Sequence, residues 1–131
     1  MLSILTLRTD KPEAELGLYK DSQQLAYKTW FAHRQLAETI HLRIAELLKS
    51  QKVPMNELQG IVVFKGPGSF TGLRIGIAVA NALADSLEIP IVSSAGEQWA
   101  KVGCNRLGEG ENEQLVLPEY GSLPHVTLPR K

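Results

Sequence analysis

The sequence is poor in the features that would assign a function directly. Its 131 residues include one cysteine, Cys104. A lone cysteine closes no internal disulfide, and no Cys/His cluster at metal-ligand spacing accompanies it. That usage suits a reducing compartment. Neither sign of charge is in surplus, because fourteen Lys+Arg balance fourteen Asp+Glu. A domain that grips a nucleic-acid backbone by itself carries a basic excess, and none is visible here. Aromatic residues make up 6% and do not interleave with basic ones, so Trp30 and Trp99 read as packing residues rather than base-stacking platforms. No apolar run nears the ~20 residues that span a bilayer. The start, Met1-Leu2-Ser3-Ile4-Leu5, lacks the basic region and long apolar stretch of a signal peptide. A cytoplasmic protein with no membrane partner is expected. His33, His41 and His125 form no ligand set, and Ser69 has no identifiable base. Neither a catalytic residue nor a metal site is expected.

What is present is ordinary for a globular chain: 44% apolar and 21% charged residues. The length favours one core. Residues 2–7 are apolar and free of Gly and Pro, and read as a buried strand. Thr9-Asp10-Lys11-Pro12 and Lys20-Asp21-Ser22 are turn chemistry, so strands over 14–19 and 23–30 complete an antiparallel meander. Helical spacing follows over about 33–50, with Leu36, Ile40, Ile44, Leu47 and Leu48 on one stripe. A β-branched run, 61–64, reads as a strand buried on both faces. A helix over about 70–87 and a strand over 89–92 come next. Ser93 or Ser94 then caps a third helix through Val102. Residues 107–114 read as a mobile loop. Pro118, Pro124 and Pro129 make the end an extended tail. The order βββαβαβα implies a mixed sheet with helices packed against it, the order of the ribonuclease H-like fold that forms half of actin-like ATPases. The expected division is a domain over 1–104 and a polar loop and tail over 105–131.

The most informative stretch is Lys65-Gly66-Pro67-Gly68-Ser69-Phe70-Thr71-Gly72-Leu73-Arg74-Ile75-Gly76. It lies between a buried strand and a helix N-terminus, where anions are often held. A phosphate cradle built from Gly66 to Gly72 with Arg74 is one reading, and a rigid strand-to-helix turn is the other. The stretch lacks the Lys-Ser/Thr ending of a P-loop, and its spacing is not GxGxxG. Arg74 is either a solvated helix charge or the partner of a carboxylate near Asp85, of another protein, or of a phosphate. On a wheel, Arg74, Ala78, Asn81 and Asp85 form a narrow strip, and almost everything else is apolar or small. One sheet face needs an apolar stripe of only about 100°, and this arc is close to twice that. Gly72, Gly76 and Ala80 recur at four-residue spacing, which admits another backbone. The spare face meets either a partner or a second layer of this domain, and the first is favoured.

The run from Gly66 to Gly76 resembles the hallmark of the TsaB (YeaZ) family, whose members assist threonylcarbamoyl modification of adenosine 37 in certain tRNAs. Pro54-Met55-Asn56-Glu57-Leu58-Gln59-Gly60 and Ile89-Pro90-Ile91-Val92-Ser93-Ser94 also resemble family segments, and His33 opens the first long helix as a family histidine does. The likeness covers about residues 30–103. It implies an actin-like fold and a non-catalytic subunit that binds the ATP- and metal-dependent transferase TsaD. A small ATPase, TsaE, would join them, and tRNA would be reached through the complex. It also implies homodimers built on the two long helices, and ATP or ADP at the joint interface rather than in this chain alone. Two departures stand out. Arg8 occupies the place of an aspartate usual at the end of the family's first strand. Arginine offers no oxygen to Mg²⁺, so the resemblance implies a still poorer ATPase. Family members also carry a second lobe, and this chain reads as a one-lobe form. Tyr120-Gly121 and Pro124-His125-Val126-Thr127 are then candidates to replace lost contacts.

The expected partner-binding residues are Ala37, His41, Leu42 and Ala45 on the first long helix. On the second they are Leu73, Gly76, Ala80, Leu83 and Leu87. Gly76→Arg is expected to abolish assembly and leave a folded monomer. The competing readings are a nucleotide-binding, weakly hydrolytic actin-like protein using the Gly66–Gly72 loop, and a self-associating structural module.

Overall fold

A computed structural model describes residues 2–32, 35–67 and 70–117. His33, Gly68, Ser69, the Phe70 side chain and the whole 118–131 tail, with its candidate docking residues, lie outside the described set. The elements are β1 (Ser3–Arg8), β2 (Glu13–Lys20), β3 (Gln23–Phe31), α1 (Leu36–Ser50), β4 (Gly60–Phe64), α2 (Phe70–Leu87), β5 (Ile91–Ser94) and α3 (Trp99–Gly108), with a 3-10 turn at Met55–Glu57 before β4. The expected order holds.

The strands form one sheet in the order β3-β2-β1-β4-β5. Tight turns make β1, β2 and β3 antiparallel, and the two helical crossovers make β1, β4 and β5 parallel. This is the ribonuclease H-like arrangement. Leu5 and Leu7 of β1 align with Leu18 and Leu16 of β2 and with Ile61 and Val63 of β4. That apolar face is covered by α1 over β2 and β3, and by α2 over β1, β4 and β5. The other face carries Thr6, Gly60, Val62 and Phe64, and α3 packs on its β4–β5 half. Trp99 meets Phe64 edge to face at 5.8 Å. Gly103 lies so close to Val62 that an added Cβ would sit 2.8 Å from Cγ2.

The bounds of β5 and α3 differ from expectation. β5 lies two residues later, because the Pro90 carbonyl already accepts from the Ile61 amide and brings Ser93 and Ser94 into the strand. Those serines are buried strand residues and cap nothing. α3 runs on through Cys104 and Leu107 to Gly108, since both side chains are buried.

The expected mobile loop is replaced by a strap that closes the outer edge of β5. Ile91 N–H donates to Asn112 Oδ1 (3.1 Å), and Ile91 C=O accepts from Glu113 N–H (2.8 Å). Ser93 N–H donates to Glu113 Oε2 (2.7 Å), and Ser93 C=O accepts from Arg106 Nη1 (2.5 Å). Arg106 also pairs with Glu113 (3.0 Å) and Glu111 (2.7 Å). Beyond it, the Asn81 amide on α2 grips the Val116 backbone at both ends, donating at 3.0 Å and accepting at 2.9 Å. Val116 is buried.

Candidate functional site

The candidate surface is built from the outward faces of α1 and α2. α1 buries Leu36, Ile40, Ile44, Leu47 and Leu48 against the sheet. At ~100° per residue, that leaves Ala37, His41, Leu42 and Ala45 outside, and all four are exposed. The flank of α1 toward β3 is marked by two contacts: Trp30 Nε1 donates to Thr39 Oγ1 (3.1 Å), and Lys28 meets Glu46 (3.4 Å). Ala37, His41 and Ala45 occupy the other flank, toward α2, and Leu42 sits on the crest. The four α1 positions expected to meet a partner are therefore accessible.

On α2 the placement differs. Leu73, Gly76 and Ala80, expected on a face free for a partner, are inside the domain. Thr9, at the end of β1, fills the space beside Gly76. An added Cβ there would lie 2.9 Å from both Thr9 Cβ and Cγ2, with Oγ1 closer still. The small residues thus admit the end of β1 of the same chain. Gly76→Arg would disrupt the fold, so it cannot serve as a docking test. Leu83 and Leu87 are half-buried. The flank toward α1 also carries Ile75 and Val79, half-buried, with Ala78 and Ala82 exposed nearby. These four were missed. The wheel contained them, but only the position of the sheet shows which half of an almost wholly apolar helix turns outward.

At the other end of this helix pair, the hairpin after β1 closes over the first turn of α2. Thr9 Oγ1 donates to the Gly72 carbonyl at 2.8 Å. Thr9, Lys11, Pro12, Ala32, Leu36, Thr71, Gly72 and Ile75 line a cleft of about 180 Å³. Gly66 is buried at φ 116, a conformation that favours glycine. Pro67 and Thr71 are exposed. Arg74 is exposed and makes no ion pair with another described residue, so of its alternative readings the pairing with a carboxylate near Asp85 is absent among them. Arg8 is engaged locally. Its guanidinium lies 3.8 Å over the Phe64 ring and bonds Asp10 twice, at 2.7 and 3.2 Å. Asp10 is buried. The Asp10 carboxylate is thereby paired with its neighbour. Among the described residues no group of three or more His, Cys, Asp or Glu side chains is placed to hold a metal ion. Nor is any of their helices long and apolar enough to cross a membrane. Burial pushes the Cys104 thiol up to about 12, with a smaller contribution from Asp21, which makes it a packing residue rather than a nucleophile.

Comparison with known proteins agrees with the motif. Residues 30–94 match the TsaD family, described as tRNA N6-adenosine threonylcarbamoyltransferase. The TsaB protein of Bacillus subtilis, named for tRNA threonylcarbamoyladenosine biosynthesis, is 32% identical over 90 residues, covering 69% of this chain and 39% of that protein. The tRNA N6-adenosine threonylcarbamoyltransferase of Geotalea daltonii is 43% identical over 61 residues, 47% of this chain and 18% of that one. Among solved structures, YeaZ from Pseudomonas aeruginosa superposes with a TM-score of 0.67 at 27% identity, covering 72% of this chain and 44% of that one. The chain thus spans less than half the length of these relatives.

Proposed function

The chain belongs to the TsaB (YeaZ) family, and on that premise we propose that it is a non-catalytic subunit for threonylcarbamoyl modification of tRNA adenosine 37. Its role is to bind a TsaD-like transferase and hold it in an active conformation. A TsaE-like ATPase joins the assembly, tRNA is engaged through the complex, and ATP or ADP belongs to the joint interface. The expected compartment is the cytoplasm.

The observation that carries this reading is the set of outward positions on two neighbouring helices, Ala37, His41, Leu42 and Ala45 on α1 and Ile75, Ala78, Val79 and Ala82 on α2, exposed or half-buried and apolar except for His41. Small and aliphatic side chains let a partner helix approach closely, and interface cores are depleted in charge. The nucleotide-binding alternative has less support. Arg8, stacked on Phe64 and paired with Asp10, stands where an ATPase needs a free carboxylate near Mg²⁺.

The test is genetic and chemical. Deleting the gene should remove threonylcarbamoyladenosine from tRNA digests read by mass spectrometry. The wild-type gene should restore it, and one carrying Ala45→Arg should not. Normal modification after deletion would exclude the role.

A further inference from the structure

Both long helices end in the same turn. On α1, Val53 N–H donates to the Leu48 carbonyl and Lys52 N–H to the Lys49 carbonyl, at 3.0 and 3.1 Å. On α2, Ile89 N–H donates to the Ala84 carbonyl and Glu88 N–H to the Asp85 carbonyl, at 3.0 and 3.2 Å. Lys52 and Glu88 are left-handed, at φ 59 and 58, the conformation that closes a helix C-terminus in this way. Each turn runs on into a proline, Pro54 or Pro90. Position for position, Leu48, Lys49, Lys52 and Val53 therefore correspond to Ala84, Asp85, Glu88 and Ile89. The backbone is repeated and the charge is inverted.

A hollow lies beside each turn, and the chain treats the two differently. The one on α2 carries Asp85 and Glu88, and the strap supplies Asn112 and Gln114 to its wall. Just beyond, the strap buries Val116, whose backbone is held by Asn81. Asn81 is the α2 counterpart of Ala45. The chain thus shows what suits such a helix end: an extended segment that lays an aliphatic side chain beside it. The hollow on α1 is a groove of about 480 Å³, and all of its lining comes from residues 45–55. No described segment elsewhere in the chain contributes to it. Leu48, Val53, Pro54 and Met55 make it apolar, and the charges in its lining are Lys49 and Lys52. Both lysines are exposed, and neither forms an ion pair with another described residue.

We propose that the α1 groove takes an extended acidic segment of a partner protein, with one aliphatic side chain seated against Leu48, Val53 and Met55 and carboxylates meeting Lys49 and Lys52. The volume lies within the ~300–1,000 Å³ of ligand pockets. An aliphatic anchor suits the apolar wall because it brings no polar group that burial would leave unpaired. The lysines set the sign of the flanking charge, and their long stems extend the wall. The Leu48 and Lys49 carbonyls already accept from backbone N–H groups, so the two ammonium groups are not drawn into capping the helix there. Nor does a carboxylate of this chain compete for them. Glu46 pairs with Arg43 and Lys28, and Glu57 lies outside the lining. The same acidic segment would be repelled at the end of α2, where it would meet Asp85 and Glu88, so the inverted charges discriminate between two turns of one shape. Ala45 borders both this groove and the α1–α2 face given above to a TsaD-like transferase. The proposal does not rest on that face, and its test leaves Ala45 unchanged.

The experiment follows the amide signals of the full, isotope-labelled chain by nuclear magnetic resonance. The probe is the end-capped peptide Glu-Glu-Leu-Glu-Glu, added to millimolar concentration at low salt. The Val53 and Met55 amides should shift and saturate, and the Ile89 amide should not move. Replacing the central leucine of the peptide with serine should weaken binding about tenfold or more, and so should the double variant Lys49→Asp, Lys52→Glu, which sets like charges against the peptide. That variant gives α1 the charges α2 already carries. Glu88 shows that glutamate accepts the left-handed position, so the circular dichroism spectrum should be unchanged. Val53 and Met55 signals that stay fixed at millimolar peptide overturn the proposal. So does binding indifferent to the leucine, which would reduce the groove to a general attraction for anions. Octanoate that shifts these amides where the peptide does not would also overturn it, by assigning the groove to an acyl chain. None of these results bears on transferase binding.

Discussion

Gly76→Ala is the sharpest test of how α2 is seated. On a solvent-facing helix this change would stabilise by about 1 kcal/mol, because alanine is the better helix former. Here a Cβ would meet all three side-chain heavy atoms of Thr9, two of them at 2.9 Å. Thr9 is 2% exposed and bonds the Gly72 carbonyl, so it has no free rotamer to retreat into. Overpacking a core site costs about 1–3 kcal/mol. Breaking the Thr9–Gly72 bond adds about 0.5–1.5 kcal/mol. After the propensity gain, a net loss of about 1–3 kcal/mol is expected. Urea unfolding followed by circular dichroism should show the midpoint falling by roughly 1 M at an unchanged slope, for slopes of about 1–3 kcal/mol/M. In a Thr9→Ala background the Gly76→Ala penalty should shrink by about 1 kcal/mol or more, since the crowding oxygen and methyl are gone. A neutral or stabilising effect in the wild-type background would refute the close approach and reopen this face to a partner.

Other outcomes follow from the same contacts. Asn81→Ala removes both bonds to Val116, and should speed hydrogen exchange at the Val116 amide by tenfold or more while barely moving exchange in β1. Cys104, with its thiol raised from 9 to about 12, should resist thiol reagents at pH 8 in the folded chain and react on unfolding. The folded state holds that proton to higher pH than the unfolded state does, so Cys104 makes stability fall as pH rises from about 9 toward 12. Denaturant midpoints for wild type and Cys104→Ala should diverge across that window and run parallel below it. The isolated chain should show no melting shift with millimolar Mg-ATP, and a saturable shift would restore the nucleotide-binding reading.

Local signals carried most of the fold. The β-branched run at β4 and the turn chemistry at Asp21 and Ser22 each place an element without tertiary information. The limits of α2, Phe70–Leu87, match expectation because glycine and proline punctuate both flanks. Long-range contacts account for the misses. Ser93 and Ser94 resemble caps, and become strand residues because they pair with Val63 and Phe64 of β4, while Glu113, twenty positions on, accepts from the Ser93 amide and hydroxyl on the outer side. The third helix runs past its expected end at Val102, and Gly103 continues it because Val62 leaves no room there for a larger residue. The candidate site was half legible. Four exposed positions of α1 follow from one stripe and its complement. On α2 the apolar arc is too wide to show its buried half, and Thr9 decides it from across the fold.

The most direct measurement is light scattering coupled to size-exclusion chromatography, on this chain mixed with a TsaD-like transferase from the same source. The account predicts a heteromeric complex for wild type. It predicts loss of that complex with Ala45→Arg, a variant that keeps the wild-type melting temperature. A chain that ignores the transferase, or a complex indifferent to Ala45→Arg, would contradict the assignment of the α1–α2 face.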